Sequence, residues 1–431
     1  MRSIFLVSII STLAISCVST KARKTIQEVK SLEEKFQDHV GFMLYDPFED
    51  KVLSEYHSDK YFTPASNTKI FTLFTSLKII GDTIPAFYYE ENGDSLIFWG
   101  SGDPSLLYDL LPQHTGFNFL KSSDKELYFS NANFNEEHFG PGWAWDDYSY
   151  SFSVEISSLP IYGNRLTIGK KPNTPFLEIG QSFFKPYFSL GDSITSSSLI
   201  SRDWQNNAFN YFPSTASDSF EEEIPFTTNT RLIASLLSDT LSREVHLINR
   251  PITDKRLIYP GIEVDSLYKL LMQDSDNFIA EQLLLMCSGL LTGELKTSDA
   301  IDYVKENYFK EIPDSPVWYD GSGLSRYNLF TPRSVVWLWD QLRKEVPQER
   351  LFSLLAVGGV SGTLEKYYSA KEPYVFGKTG TLSNNHSLSG FLITKKGKLL
   401  IFSLMNNNFP DKSAPVKRAM EKVLWNIHLN Y

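Results

Sequence analysis

The chain has 431 residues, with 41 Lys or Arg against 51 Asp or Glu, and so a formal net charge of −10. That length predicts about two to three domains with ample core. The acidic balance, without any basic run, excludes a nonspecific electrostatic grip on nucleic acid, which needs clustered cations. Hydrophobic residues at 42% and charged residues at 21% are the balance of a folded globular chain. Cys17 and Cys287 are the only cysteines, so no disulfide framework holds the chain together and stability must come from burial.

At the N-terminus, Arg2 is followed by an apolar stretch from Ile4 to Ile15 and then Ser16-Cys17, the layout of a secretory signal. The apolar stretch is too short to cross ~30 Å of hydrocarbon. Ala14-Ile15-Ser16-Cys17 resembles a bacterial lipobox, whose cysteine is lipidated after cleavage; an ordinary signal cleaved nearby is the alternative. Either way the protein is expected to be exported to the periplasm, with residues 1–16 as signal peptide and 17–24 as a polar linker. No later segment reaches ~18 uninterrupted apolar residues, so membrane attachment is expected only through a lipid on Cys17.

Ile26 to Phe36 has helical spacing. His39 to Tyr45 and Val52 to Tyr56 read as strands joined by a turn at Asp46-Pro47-Phe48-Glu49-Asp50. After Pro64-Ala65-Ser66, the apolar residues Ile70, Leu73, Phe74, Leu77 and Ile80 recur at three- and four-residue steps, which predicts an amphipathic helix capped at Gly81. From about Pro85 to Asn249 short strand-like runs (Ser95 to Phe98, Leu127 to Ser130, Arg165 to Ile168) alternate with turn residues, and one helical stretch lies near Thr230 to Leu241. Helical spacing resumes at Val264. Leu388 to Thr394 and Leu399 to Met405 read as a hairpin around Lys395 to Lys398, and a last helix covers about Pro415 to Leu429.

Strands at both ends with helices between them predict an α/β (α+β) catalytic domain whose antiparallel sheet combines N-terminal and C-terminal strands. Residues 25–84 form its first part, 85–249 a largely β insertion, and 250–431 its second part.

Several chemistries are excluded. There is no Gly-x-Ser-x-Gly elbow. Gly377-Lys378-Thr379 is not the end of a phosphate-binding loop, because Glu372 stands where a glycine is required. The seven histidines are scattered without metal-binding spacing, so no metal site and no cofactor are expected. What remains is a serine whose proton is taken by a lysine one helical turn on. Ser66-Asn67-Thr68-Lys69 has that spacing at a helix start, where free backbone N–H groups are available. The same spacing at Ser122 to Lys125, Ser182 to Lys185 and Ser266 to Lys269 lacks this setting. Ser275-Asp276-Asn277 lies between helical stretches and offers a hydroxyl and a carboxamide. Lys378-Thr379-Gly380-Thr381 follows strand-like Tyr374-Val375-Phe376, putting a cation, hydroxyls and a close-approach glycine along a sheet edge.

The ordered set Ser-x-x-Lys, Ser-Asp-Asn, Lys-Thr-Gly resembles the active-site motifs of penicillin-binding proteins and serine β-lactamases. The long interval from Lys69 to Ser275 is similar to that of the class C low-molecular-mass penicillin-binding proteins, the D-alanyl-D-alanine carboxypeptidase/endopeptidase family, with domains inserted between the first two motifs. Gly100-Ser101-Gly102-Asp103-Pro104, Asp320-Gly321-Ser322-Gly323-Leu324-Ser325-Arg326 and Gly359-Val360-Ser361-Gly362-Thr363-Leu364 resemble further segments of that family; Ser101 stands where the family usually has glycine.

The resemblance implies a penicillin-binding-protein/β-lactamase-like fold and a serine peptidase acting on peptidoglycan stem peptides, with β-lactam antibiotics as covalent inhibitors. It implies Ser66 as nucleophile, Lys69 as base, and Ser275, Asn277 and Lys378 as their catalytic partners. The substrate carboxylate would lie on Lys378, Thr379, Gly380 and Thr381, and Asp147 and Phe152, in the insertion, would contact a diaminopimelate side chain. Burial and the charge of Lys378 are expected to lower the pKa of Lys69. Cys287, among Leu283 to Met286, reads as a buried apolar residue. Asp320 and Arg326 are candidates for an ion pair beside the site. A β-lactamase and a noncatalytic peptidoglycan-binding protein are the competing readings.

Overall fold

The computed structural model describes residues 20–174, 176–191, 199–213 and 219–431. The expected signal peptide and Cys17 lie outside the described residues.

A six-stranded antiparallel sheet organises the catalytic domain. Its strands lie in the spatial order Ala356–Val357, Val375–Leu382, Asn385–Ile393, Leu399–Asn407, His39–Asp46, Lys51–Tyr56. The N-terminal strand pairs directly with the last one, from His39 opposite Asn407 to Tyr45 opposite Ile401, so the two ends of the chain share one sheet as expected.

Alternation along these strands separates two cores, because successive side chains point to opposite faces. Val40, Phe42, Leu44, Leu400, Phe402 and Leu404 face the terminal helices Thr20–Phe36 and Ser413–Asn430. Met43, Ile401, Met405 and Phe391 face a helical layer that includes Lys69–Ile79, Asn277–Thr292 and Pro332–Glu345. Trp339 of that layer donates its indole N–H to Ser389 Oγ at 2.9 Å, fixing helix against strand.

Local chemistry sets the turns. Asp46 accepts the backbone N–H groups of Phe48 and Glu49 at 3.1 and 3.2 Å, closing the first hairpin as an Asx turn. The hairpin at Lys395 to Lys398 is closed by Thr394 N–H on Lys398 O at 2.8 Å, with Gly397 at φ +80°.

Four expectations are corrected. Residues 20–24 are not linker but the first turns of a helix, because Ala22 and Thr25 are buried against the domain. The helix Lys69–Ile79 is not amphipathic at its start: Lys69 to Ser76 are all buried, since the helix runs through the middle of the domain. It ends without a glycine cap. Ile80 turns extended (φ −87°, ψ 133°) while its N–H still reaches Ser76 O, and the chain passes straight into the strand Thr83–Asn92. That strand belongs to a five-stranded sheet in the order Val245–Leu247, Glu126–Ser130, Ser95–Gly100, Thr83–Asn92, Leu257–Glu263. Leu257–Glu263 lies beyond residue 249, so the stretch just past the expected end of the insertion pairs with the insertion and not with the catalytic sheet.

The insertion also contains two three-stranded sheets and the helices Thr115–Ser122 and Thr230–Leu241, around a separate core that includes Phe98, Phe129, Leu166, Phe184 and Leu237. It is largely β, as the spacing predicted.

Leu404 is fully buried in the centre of the catalytic sheet. Leu404→Ala is expected to cost about 2–5 kcal/mol, through lost transfer energy and the cavity left behind, and to lower the urea midpoint correspondingly.

Candidate active site

Three chain segments from different parts of the sequence meet at one amine. Lys69 opens the central helix and is completely buried. Its Nζ lies 2.9 Å from Ser66 Oγ, 2.6 Å from Asn277 Oδ1 and 2.7 Å from the carbonyl oxygen of Ser322. Ser66 itself sits one turn earlier, in a 3₁₀ turn, Ala65–Thr68, and is only half-buried. The turn holds Ala65 at φ +49°, a left-handed conformation that costs a non-glycine residue energy and is found where surrounding structure enforces it.

Ser275-Asp276-Asn277 forms the entry to the helix Asn277–Thr292. Asp276 caps it by accepting Ile279 N–H at 2.9 Å, and Ser275 is left-handed at φ +64°, which turns its hydroxyl towards the third motif. Lys378 Nζ donates to Ser275 Oγ at 2.7 Å and to Thr379 O at 2.8 Å.

The strand Val375–Leu382 is second in its sheet and not outermost, as a sheet-edge placement would require. Its outer neighbour, Ala356–Val357, covers only Phe376 and Gly377, so from Lys378 onward the strand faces a cleft. Val375 O accepts from Gly358 on that outer side. In an antiparallel strand alternate residues direct both backbone groups the same way, so Thr381 N–H also points outward, beside Ser66.

Gly380 explains how the strand and the Ser66 turn come so close. A Cβ there would lie 2.5 Å from Pro64 O and 2.8 Å from Ser66 N. Gly323 does the same from the opposite side: at φ +84°, its Cβ would meet Ala65 O at 2.0 Å. Asn67 ties the turn to the strand by donating to Lys378 O at 3.1 Å.

Ser66, Ser275, Asn277 and Thr381 line a cleft of about 640 Å³, with Asp147, Phe152, Gly323 and Arg326 in its walls. A second groove, of about 760 Å³, lies between the terminal helices and contains none of the three motifs. Thr379 hydrogen-bonds Thr363 at 2.7 Å, and Thr381 Oγ1 lies 2.8 Å from Nδ1 of buried His386. Asp147, and not its neighbour Asp146, reaches the cleft. Phe152 contributes through its backbone as well as its ring, since Asn277 Nδ2 donates to Phe152 O at 2.9 Å.

Burial pushes Lys69 down to about 8, against the opposing pull of Glu281, Asp320 and Asp276. Lys378 is lowered as well, by burial first and then by the charge of Lys69. Burial lowers Lys69 as expected, the expected contribution of Lys378 is not among the causes of that shift, and the nearby carboxylates oppose it. Burial raises Cys287 to about 12, as suits an inert core thiol.

Asp320 and Arg326 do not pair. Asp320 is buried and accepts from Gly323 N, Ser325 N, Asn328 Nδ2 and Trp143 Nε1, with no room for a guanidinium, while Arg326 turns into the cleft wall. Sequence reasoning did not find the Ser322 carbonyl or the role of Glu281. The Glu281 carboxylate accepts Gly321 N–H and Ser322 N–H at 2.8 and 2.7 Å and so aims the Ser322 carbonyl at Lys69. Glu281 lies one turn beyond Asn277 on a helix otherwise buried among apolar residues, and a charge at such a position was the available signal.

The family model for the D-Ala-D-Ala carboxypeptidase 3 (S13) family matches residues 22–196 and 230–428. The chain belongs to this family. It is 24% identical to the D-alanyl-D-alanine carboxypeptidase DacB of Haemophilus influenzae, with 91% of each chain covered. It is 23% identical to the penicillin-sensitive carboxypeptidase A of Dictyostelium discoideum, covering 84% of this chain and 81% of that one. The crystal structure of penicillin binding protein 4 from Haemophilus influenzae superimposes with a TM-score of 0.73 at 19% identity, over 93% of this chain and 99% of that one. The penicillin-binding-protein fold expected from the motifs is therefore the fold observed.

In this S13 chain Gly380→Ala should displace the Ser66 turn from the strand. A misplacement of ~1 Å can cost ~100-fold, so the rate of covalent labelling by a fluorescent penicillin should fall by about that factor while circular dichroism is unchanged.

Proposed function

We propose that the chain is a serine-type D-alanyl-D-alanine carboxypeptidase/endopeptidase that hydrolyses peptidoglycan stem peptides through an acyl-enzyme on Ser66 and is inhibited by penicillins. The observation that carries this reading is the buried Lys69 amine 2.9 Å from an accessible Ser66 hydroxyl. The names of the curated relatives agree with it.

In its neutral form Lys69 takes the Ser66 proton as Oγ attacks the carbonyl carbon between the two terminal D-alanines. With a pKa near 8, about a tenth of Lys69 is neutral at pH 7, against a negligible fraction for an unperturbed lysine. Negative charge developing on the carbonyl oxygen falls between Ser66 N–H and Thr381 N–H; one such donor is worth ~2.7–4 kcal/mol. Ser275, hydrogen-bonded to Lys378, relays the proton held by Lys69 to the departing amine nitrogen as the C–N bond breaks, which leaves Lys69 neutral again. Water then releases the acyl group, with Lys69 again acting as base. Lys378, Thr379 and Thr381 receive the terminal carboxylate, whose charge favours the ammonium form of Lys378. Gly380 lets the substrate lie close along the strand. Asn277 holds Lys69 with its oxygen, and the Asp147 carboxylate and Phe152 ring flank the cleft where an amine-bearing side chain of the stem would lie.

The signal read at residues 1–16 supports a periplasmic site of action, with lipid at Cys17 as the anchor.

Incubation with a stem pentapeptide should release D-alanine, and a fluorescent penicillin should tag the wild type but not Ser66→Ala. Equal tagging of both would end the assignment of the nucleophile, and rapid penicillin turnover would favour a β-lactamase. Because deprotonation of Lys69 activates the serine, the acylation rate should rise with pH through about 8 and then level off. A flat profile between pH 6 and 9 would contradict the role of Lys69 as base.

A further inference from the structure

Two indoles stand in solvent next to the cleft. Trp145 is 73% exposed and Trp204 47% exposed, in a protein that buries Trp99 and Trp339 completely. Their rings lie 6.0 Å apart at 82°, and Tyr148 braces Trp204 edge-on at 4.8 Å. Exposure of such large apolar side chains forfeits hydrophobic stabilisation, and clusters of them mark interaction sites.

The mount beneath them is stiff. Trp145 and Tyr148 lie on the 3₁₀ turn Trp145–Ser149. Trp204 lies in the loop between the strands Ile200–Arg202 and Phe209–Tyr211, closed by Asp203 N–H on Ala208 O at 2.9 Å. Buried Arg202 locks turn to loop: its guanidinium lies 5.1 Å from the Tyr148 ring centre and donates to Tyr148 O at 3.0 Å, while Tyr148 Oη donates to Arg202 O at 3.1 Å.

We propose that Trp145 and Trp204 form a carbohydrate platform that stacks an N-acetylated sugar of the glycan strand from which the stem peptide hangs. This rests on the peptidase reading above. The platform is continuous with the cleft, since Ala144 and Asp147, on either side of Trp145, both line it.

The chemistry selects the ligand. A pyranose presents a C–H face that packs on an aromatic ring and a rim of hydroxyls that needs polar partners. Exposed Asp146, Asp203, Gln205 and Asn206 supply that rim. The same carboxylates disfavour an anionic surface.

The test compares a free stem pentapeptide with the same peptide carrying its disaccharide. In the double variant Trp145→Ala/Trp204→Ala, KM for the disaccharide-peptide should rise about tenfold with kcat unchanged, while turnover of the free peptide stays within about twofold. Trp145→Phe, which keeps a ring, should recover most of the affinity. Equal losses on both substrates would show a structural role and overturn the proposal, as would no loss on either. Saccharide binding is also read without hydrolysis: tryptophan emission of Ser66→Ala should change saturably on titration with an N-acetylglucosamine tetramer and lose that response in the double variant. If the wild type released no D-alanine from either substrate, the peptidase reading would fall, and this titration would decide the platform: a saturable response supports it, and no response overturns it.

Discussion

The molecule is arranged around an amine taken out of water. Lys69 is completely buried, and removing an ammonium from solvent is costly unless its hydrogen bonds are replaced. Its three partners come from residues 66, 277 and 322, so satisfying one nitrogen requires the nucleophile turn, the Ser-Asp-Asn helix entry and the Gly321-Ser322 loop to meet. The desolvation that demands those partners also brings Lys69 down to about 8, within reach of neutral pH. One physical constraint thus both assembles the site and tunes its amine.

Holding that node requires backbone in unusual places. Ala65 and Ser275 are left-handed without being glycine, and Gly380 and Gly323 leave no room for a Cβ on either side of the nucleophile turn. Strain of this kind costs of order 1–3 kcal/mol per residue and persists only where packing over-determines the geometry. Here the over-determination comes from the two cores on opposite faces of the sheet and from Glu281, which fixes the loop carrying Ser322.

The insertion is tied to the chemistry as well as hung from the domain. Asn277 donates its amide to Phe152 O, and Arg165, buried in the insertion, pairs at 3.5 Å with Asp276, the middle residue of the second motif. Breaking a buried pair leaves an uncompensated charge, so this contact couples the position of the Ser-Asp-Asn entry to the docking of the inserted region. The cleft wall bearing Asp147 and the exposed tryptophans belongs to the same inserted region, so the groups proposed to contact the stem side chain and the glycan are held to Asp276 and Asn277.

The strands and helices of the catalytic domain were legible because period-2 and helical spacing depend on local sequence, and the motifs Ser66 to Lys69, Ser275 to Asn277 and Lys378 to Thr381 were legible because their residue types and order are rare in combination. Other features could not be read so. Gly81 resembled a cap, but the helix ends at Ile79 and Ile80 is already extended before Gly81 is reached; residues 20–24 resembled a linker, but Ala22 and Thr25 find a core to bury against. Asp320 resembled a partner for Arg326, but four donors brought by the fold claim it first. The sequence by itself determined most of the elements, the shared sheet of the two chain ends and the three motifs that meet at Lys69. Only the tertiary structure decided which carbonyl holds Lys69, how deeply the two lysines are buried and which face the insertion turns to the cleft, because desolvation and hydrogen-bond competition depend on neighbours hundreds of residues away in the chain.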